Sequence, residues 1–89
     1  MAMLIVRHQV EDFDRWRAGY DANADVRTNG GVRHQMVYRS ADDGNDITVM
    51  HDFETIDAAR AFAGSPELKA AMAELGVVGA PQIWFVEEA

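Results

Sequence analysis

Three histidines and two tyrosines are the residues of this chain best suited to moving protons. His51 lies within Val49-Met50-His51-Asp52-Phe53, and strand alternation gives it one face with Ile47, Val49 and Phe53. An imidazole among such neighbours is desolvated, which holds its pKa near or below the ordinary ~6.5. It is then a neutral base at physiological pH, the state that takes a proton from a phenol or an acidic C–H. The same surroundings suit a core-edge histidine bonded to backbone or water, and both roles stay open.

His34 and Tyr38 share a face of the preceding strand, with Met36 between them. The Tyr38 hydroxyl would orient a substrate oxygen or stabilise an enolate. Both residues also suit an interface or a rim. Register decides: one hairpin alignment sets Gln35 opposite His51, and a slip of one residue sets Met36 there instead. The slip puts His34 and Tyr38 on the His51 face. His8 ends the first strand on the face of Leu4 and Val6.

Nothing in this set has metal-ligand spacing. There is no cysteine and no His-x-x-x-His pair, and the acids around His51 alternate to the other face. The pairs Asp42-Asp43 and Glu87-Glu88 read as a solvated turn and a solvated tail. No glycine-rich phosphate loop is present. The expectation is a protein without metal, flavin or haem.

The elements that must position these residues read strand, helix, strand, strand, helix, strand. Residues 3 to 10 are β-branched and apolar. Asp12 offers an N-cap to a helix whose inner stripe is Phe13, Trp16, Tyr20 and Ala24, ended by Asn29-Gly30-Gly31. Val32 to Arg39 and Asp46 to Glu54 are strands joined by Ala41-Asp42-Asp43-Gly44-Asn45, where Asp-Gly supplies positive φ angles. Thr55 caps a helix with Ile56, Ala59, Phe62 and Ala63 inward, and Gly64 breaks it. Ser65-Pro66-Glu67 restarts it, with Leu68, Met72 and Leu75 as its stripe, and Gly76 closes it. Val77 to Pro81 reads as a loop and Gln82 to Glu87 as the last strand.

Two β-α-β halves joined by a hairpin make a single α+β domain over residues 1–89. It is the ferredoxin-like split arrangement (βαββαβ), a four-stranded antiparallel sheet in the order 4-1-3-2 with its helices on one face. The first and last strands are apolar on both sides: Met3 and Ile5 oppose Leu4 and Val6, and Ile83 and Phe85 oppose Trp84 and Val86. A single wet face would alternate with polar residues. The uncovered face therefore calls for a second copy. A chain of 89 residues buries only about 60% of its unfolded surface, and without disulfides a partner subunit is the remaining aid.

A formal charge of −7 and scattered basic residues argue against nucleic acid as a partner. No apolar run approaches the ~20 residues of a membrane span. The N-terminal Met3-Leu4-Ile5-Val6 is too short for a signal-peptide core. The expectation is a soluble cytoplasmic protein.

The placed elements also carry a resemblance. Val10-Glu11-Asp12-Phe13-Asp14-Arg15-Trp16, Tyr38 to Asn45, Ala58 to Leu68 and Gly76-Val77-Val78-Gly79-Ala80-Pro81 make the chain look like a member of the dimeric α/β-barrel superfamily. The match is to its small antibiotic-biosynthesis monooxygenase-like or cyclase-like proteins. The superfamily holds cofactor-free oxygenases, cyclases, isomerases, haem-degrading enzymes and proteins without known activity, so the resemblance speaks to fold more than reaction. It implies a homodimer and aromatic walls that hold flat polycyclic or phenolic ligands. It also implies that a first-strand histidine such as His8 recurs among the cyclase-like relatives. Haem-degrading relatives carry an axial histidine in the helical segment, and Leu68 to Leu75 has none.

The resulting expectation is a cofactor-independent cyclase, isomerase or oxygenase acting on a small aromatic or polyketide-like molecule. His51 would be the base and Tyr38 or His34 the hydrogen-bond donor. Trp16, Tyr20, Phe62 and Met72 would line the pocket. The alternative is a non-catalytic ligand-binding or structural homodimer. An open pocket beside His51 with a second polar group would favour the enzyme. The same space filled by Trp16, Phe62, Met72 and Leu75 would favour the structural module.

Overall fold

The computed structural model describes residues 2–89. Strand β1 (Ala2–Val10) leads to helices α1 (Phe13–Ala22) and α2 (Ala24–Asn29). The hairpin β2 (His34–Arg39) and β3 (Asp46–Phe53) follows, then helices α3 (Ile56–Ala63) and α4 (Pro66–Glu74), and β4 (Val77–Glu87). The sheet is antiparallel in the order β2-β3-β1-β4, the order expected from the ferredoxin-like arrangement.

Local chemistry explains the helix starts. The side chains of Asp12, Thr55 and Ser65 accept hydrogen bonds from the backbone N–H of Arg15, Ala58 and Leu68. Each satisfies a donor that the first helical turn leaves free. The first helix is not continuous, as the apolar stripe suggested. Asn23 interrupts it: its backbone N–H reaches the carbonyls of Gly19 and Tyr20, and its side chain donates to Gly19 at 2.9 Å. Ala24 accordingly opens α2 and is exposed instead of continuing the buried stripe.

Two further readings are corrected. Gly44 does not adopt positive φ. Side chains hold the β2–β3 turn instead: Asp43 accepts from the Asn45 N–H at 3.0 Å, and Ser40 from the Asp42 N–H at 3.2 Å. Residues 77–81 are strand, not loop. Val77 and Val78 pair with Val10 and Gln9, and pairing resumes at Gln82 with Arg7. Gly79, Ala80 and Pro81 bulge between them, with Gly79 at φ +73°. A bulge on an edge strand absorbs both a left-handed glycine and a proline without an N–H.

The core lies between sheet and helices. Leu4, Val6, Ile47, Val49 and Phe53 from the central strands meet Trp16, Tyr20, Ala59 and Phe62 from the helices. On the opposite face no helix packs. Met3, Ile5, Met36 and Met50 are half-buried there, and Tyr38, Val78, Trp84 and Val86 are exposed, Trp84 to 45%. No described helix is long and apolar enough to cross a membrane.

Candidate active site

The hydrogen-bonded pairing of β2 with β3 sets Gln35 opposite His51 and Tyr38 opposite Thr48. With this register His51 faces the helices, whereas His34, Met36 and Tyr38 face the open side of the sheet. The structure therefore does not bring His34 or Tyr38 to His51 within one chain. Both are exposed, and the polar partner of His51 is another residue.

That residue is Tyr20. Its hydroxyl lies 2.8 Å from His51 Nε2. Strand parity points His51 inward from the centre of β3, and the α1 stripe brings Tyr20 down onto it. Trp16, one turn earlier, stacks on Tyr20 at 4.8 Å between ring centroids, and Phe62 meets the imidazole edge-on at 5.6 Å. His51 is 5% exposed. Burial, reinforced by the positive charge of Arg27, pushes its pKa down to about 4, so the ring is neutral. Nδ1 of His51 has no hydrogen-bond partner. Burial raises the Tyr20 phenol while Arg27 and Arg17 oppose the rise.

A cavity of about 60 Å³ opens beside this pair, between the helices and the sheet. Trp16, Tyr20, Phe62 and Met72, expected as pocket walls, all line it together with His51. Helix α4 supplies the outer wall through Leu68, Ala71 and Met72, and none of its residues is fully buried.

Two residues enter the site that carried no catalytic assignment in the sequence. His8 lines the cavity, as its face with Leu4 and Val6 allows, and neither of its ring nitrogens has a partner. Burial lowers its pKa, with Asp46 opposing. Arg27 of α2 also lines the cavity and is 6% exposed. It donates from Nε to Gln35 Oε1 at 2.7 Å and from Nη1 to the Tyr20 carbonyl, and its guanidinium carbon sits 3.7 Å over the Tyr20 ring centre. The parity of β1 was a signal for His8. Nothing in the sequence separated Arg27 from the solvated arginines near it. Among the described residues, no three His, Cys, Asp or Glu side chains gather as metal ligands.

The arrangement holds a neutral imidazole, a phenol hydrogen-bonded to it and a buried cation around one mostly apolar space. It can relay a proton from a bound molecule and stabilise the charge left behind.

Comparison with known proteins agrees with this architecture. Residues 1–74 match the family model described as antibiotic biosynthesis monooxygenase. No curated protein matches the sequence. Among solved structures, a provisionally assigned antibiotic biosynthesis monooxygenase from Bordetella bronchiseptica is similar at a TM-score of 0.83 and 17% identity, over 99% of this chain and 96% of that one. One from Caulobacter crescentus is similar at 0.76 and 21%, over 99% and 89%. SnoaB, a cofactor-independent oxygenase from Streptomyces nogalater, is similar at 0.74 and 13%, over 99% and 94%. At these identities the likeness is one of fold.

Proposed function

The chain belongs to the antibiotic biosynthesis monooxygenase family, and from that premise we propose that it is a cofactor-independent enzyme acting on a small aromatic or polyketide-like molecule. The observation that carries the reading is the buried, neutral His51 bonded to Tyr20 at the wall of the cavity. The step common to cyclisation, isomerisation and oxygenation of such molecules is removal of a proton from an acidic O–H or C–H. Here the ligand's proton passes to the Tyr20 oxygen as the Tyr20 proton passes to Nε2 of His51. The step leaves the ligand one unit more negative than it was bound, beside a neutral phenol and an imidazolium. Trp16 and Phe62 hold a flat ring by stacking and edge contacts.

Ligand pockets usually measure about 300–1,000 Å³, and this cavity is smaller. Helix α4 is the wall best placed to give way, since it has no buried residue and lies between Gly64 and Gly76. The small cavity also supports the second reading, a non-catalytic dimer that binds a small ligand. In either reading we propose that two copies pair through the open sheet face around Trp84, Val86, Ile5 and Met50. The lack of cysteine suits a reducing compartment such as the cytoplasm.

The test is a panel of phenolic and polyketide-like compounds in deuterated water, followed for hydrogen exchange at acidic C–H positions and for oxygen uptake. Turnover should fall by about 10²–10⁴ in His51→Gln, the usual yield of general-base catalysis. Turnover of a compound at the same rate by His51→Gln would remove His51 from the mechanism. Binding without turnover of any compound would favour the non-catalytic dimer.

A further inference from the structure

Arg27 is a buried cation without an anion. Gln35 Oε1, the Tyr20 carbonyl and the Tyr20 ring, its partners, are all neutral. The ion pairs among the described residues are Arg7–Asp46, Arg15–Glu11 and Arg17–Asp21, all involving more exposed arginines. Acids are not scarce: Asp and Glu number 15 against 8 Lys and Arg. Asp21 and Asp25 lie close to Arg27 in sequence, yet both are exposed. A buried charge left without a counter-charge is costly. Here it borders a cavity, and its hydrogen bonds to the protein run from Nε and Nη1.

We propose that the cavity takes its ligand as a planar oxyanion, a phenolate, enolate or carboxylate on a small aromatic frame, and that Arg27 is the counter-charge that selects it. The proposal rests on the small-aromatic reading above and names the charge state that reading leaves open. A guanidinium presents its N–H groups in one plane, which matches two oxygens or one oxygen lone-pair fan. Nε and one Nη1 hydrogen are engaged with the protein, which fixes the plane and leaves donors for a ligand.

The site couples this charge to His51. Around the cavity His51 shares the walls with Tyr20 from α1, Arg27 from α2, Phe62 from α3, Leu68 and Met72 from α4, and the buried, neutral His8 from β1, with Leu4 and Gln35 opposite it on the neighbouring strands. Arg27 is the only full charge among them, and it disfavours an imidazolium. A ligand anion beside Arg27 cancels that effect. Binding therefore raises the proton affinity of His51, and the base becomes stronger when its substrate is present.

The experiment compares charged and neutral probes of one shape on the full-length protein by titration calorimetry: benzoate against benzamide, and 4-nitrophenol above and below its ionisation. NMR follows the His51 ring in the same samples. The anionic forms should bind about ten- to hundredfold more tightly, as expected for a hydrogen bond to a charged group, and the His51 pKa should rise on binding. Whichever of benzoate and nitrophenolate shows the larger preference identifies the oxyanion. The preference should vanish in Arg27→Gln and persist in Arg27→Lys. Equal binding of charged and neutral forms by the wild-type protein overturns the proposal and leaves the small-aromatic reading intact. A preference that survives in folded Arg27→Gln overturns it too. Binding of none of the probes defeats both. The wild-type comparison decides even where a variant fails to fold.

Discussion

The Tyr20 hydroxyl and His51 Nε2, 2.8 Å apart, join helix α1 to the central strand β3 within the cavity wall. The bond is both structural and chemical. It satisfies one ring nitrogen in a setting where an unpaired polar group is costly, and it leaves Nδ1 free of partners. A side chain that is partly satisfied is neither an inert core residue nor a fully free base.

Replacing Tyr20 with Phe removes this bond and keeps the ring under Arg27. Stability should fall by about 1–2 kcal/mol, a drop of roughly 4–8 °C in Tm for each kcal/mol in a domain of this size. Thermal melts followed by circular dichroism measure it. An unchanged Tm would mean that the bond contributes nothing net.

Acid should weaken the fold in a defined window. The His51 pKa lies at about 4 in the folded chain against an ordinary 6.5. Between these values the unfolded chain binds the proton and the folded chain does not. The stability associated with neutral His51 is complete above the higher value and is lost as pH falls toward the lower, by about 3 kcal/mol. His8, also lowered by burial, acts in the same direction. Urea unfolding at pH values above and below the window, at one protein concentration, should show a smaller loss in His51→Gln than in wild type.

Gly30 is a packing constraint. A Cβ there would lie 2.3 Å from Cδ1 of Phe62 and 3.1 Å from the Val26 carbonyl. Gly30→Ala should destabilise the fold by about 1–3 kcal/mol through overpacking. Combining it with Phe62→Leu should recover part of the loss, because the clash is with the ring. Strict additivity of the two losses would show that the ring is not the obstacle.

The open sheet face should hold two copies together. Sedimentation at micromolar concentration should give twice the 9.9 kDa chain mass, and Trp84→Glu should give monomers. A wild-type monomer with a cooperative melt would show that the apolar face is tolerated in water.

Much of the fold was legible because its determinants are local. Asp12, Thr55 and Ser65 cap the helices they were expected to cap, and the parity of Leu4, Val6 and His8 placed the first histidine on the correct face. The misreadings have a common physical origin. Gly79 and Pro81 break isolated strands, but neighbouring β1 turns them into a bulge. Asn23 stops α1 by a side-chain bond to Gly19 that helical periodicity does not register. The β2–β3 register depends on how side chains fold the Ala41–Asn45 turn, and that register separated Tyr38 and His34 from His51. Arg27 was invisible because its environment is made by Tyr20 and Gln35, from two other elements.

The bulge in β4 has a bearing on how copies of the chain can meet. β4 is an edge strand, 11 residues long, and a flat edge of that length is a template on which further strands would add without limit. Gly79 to Pro81 interrupt the row of outward N–H and C=O groups near its start, and Pro81 has no N–H to offer. Strand addition along this end of β4 is thereby obstructed, while the broad face bearing Trp84 and Val86 is untouched. The same three residues that look like a flaw in the strand thus remove part of the template on which further strands would add.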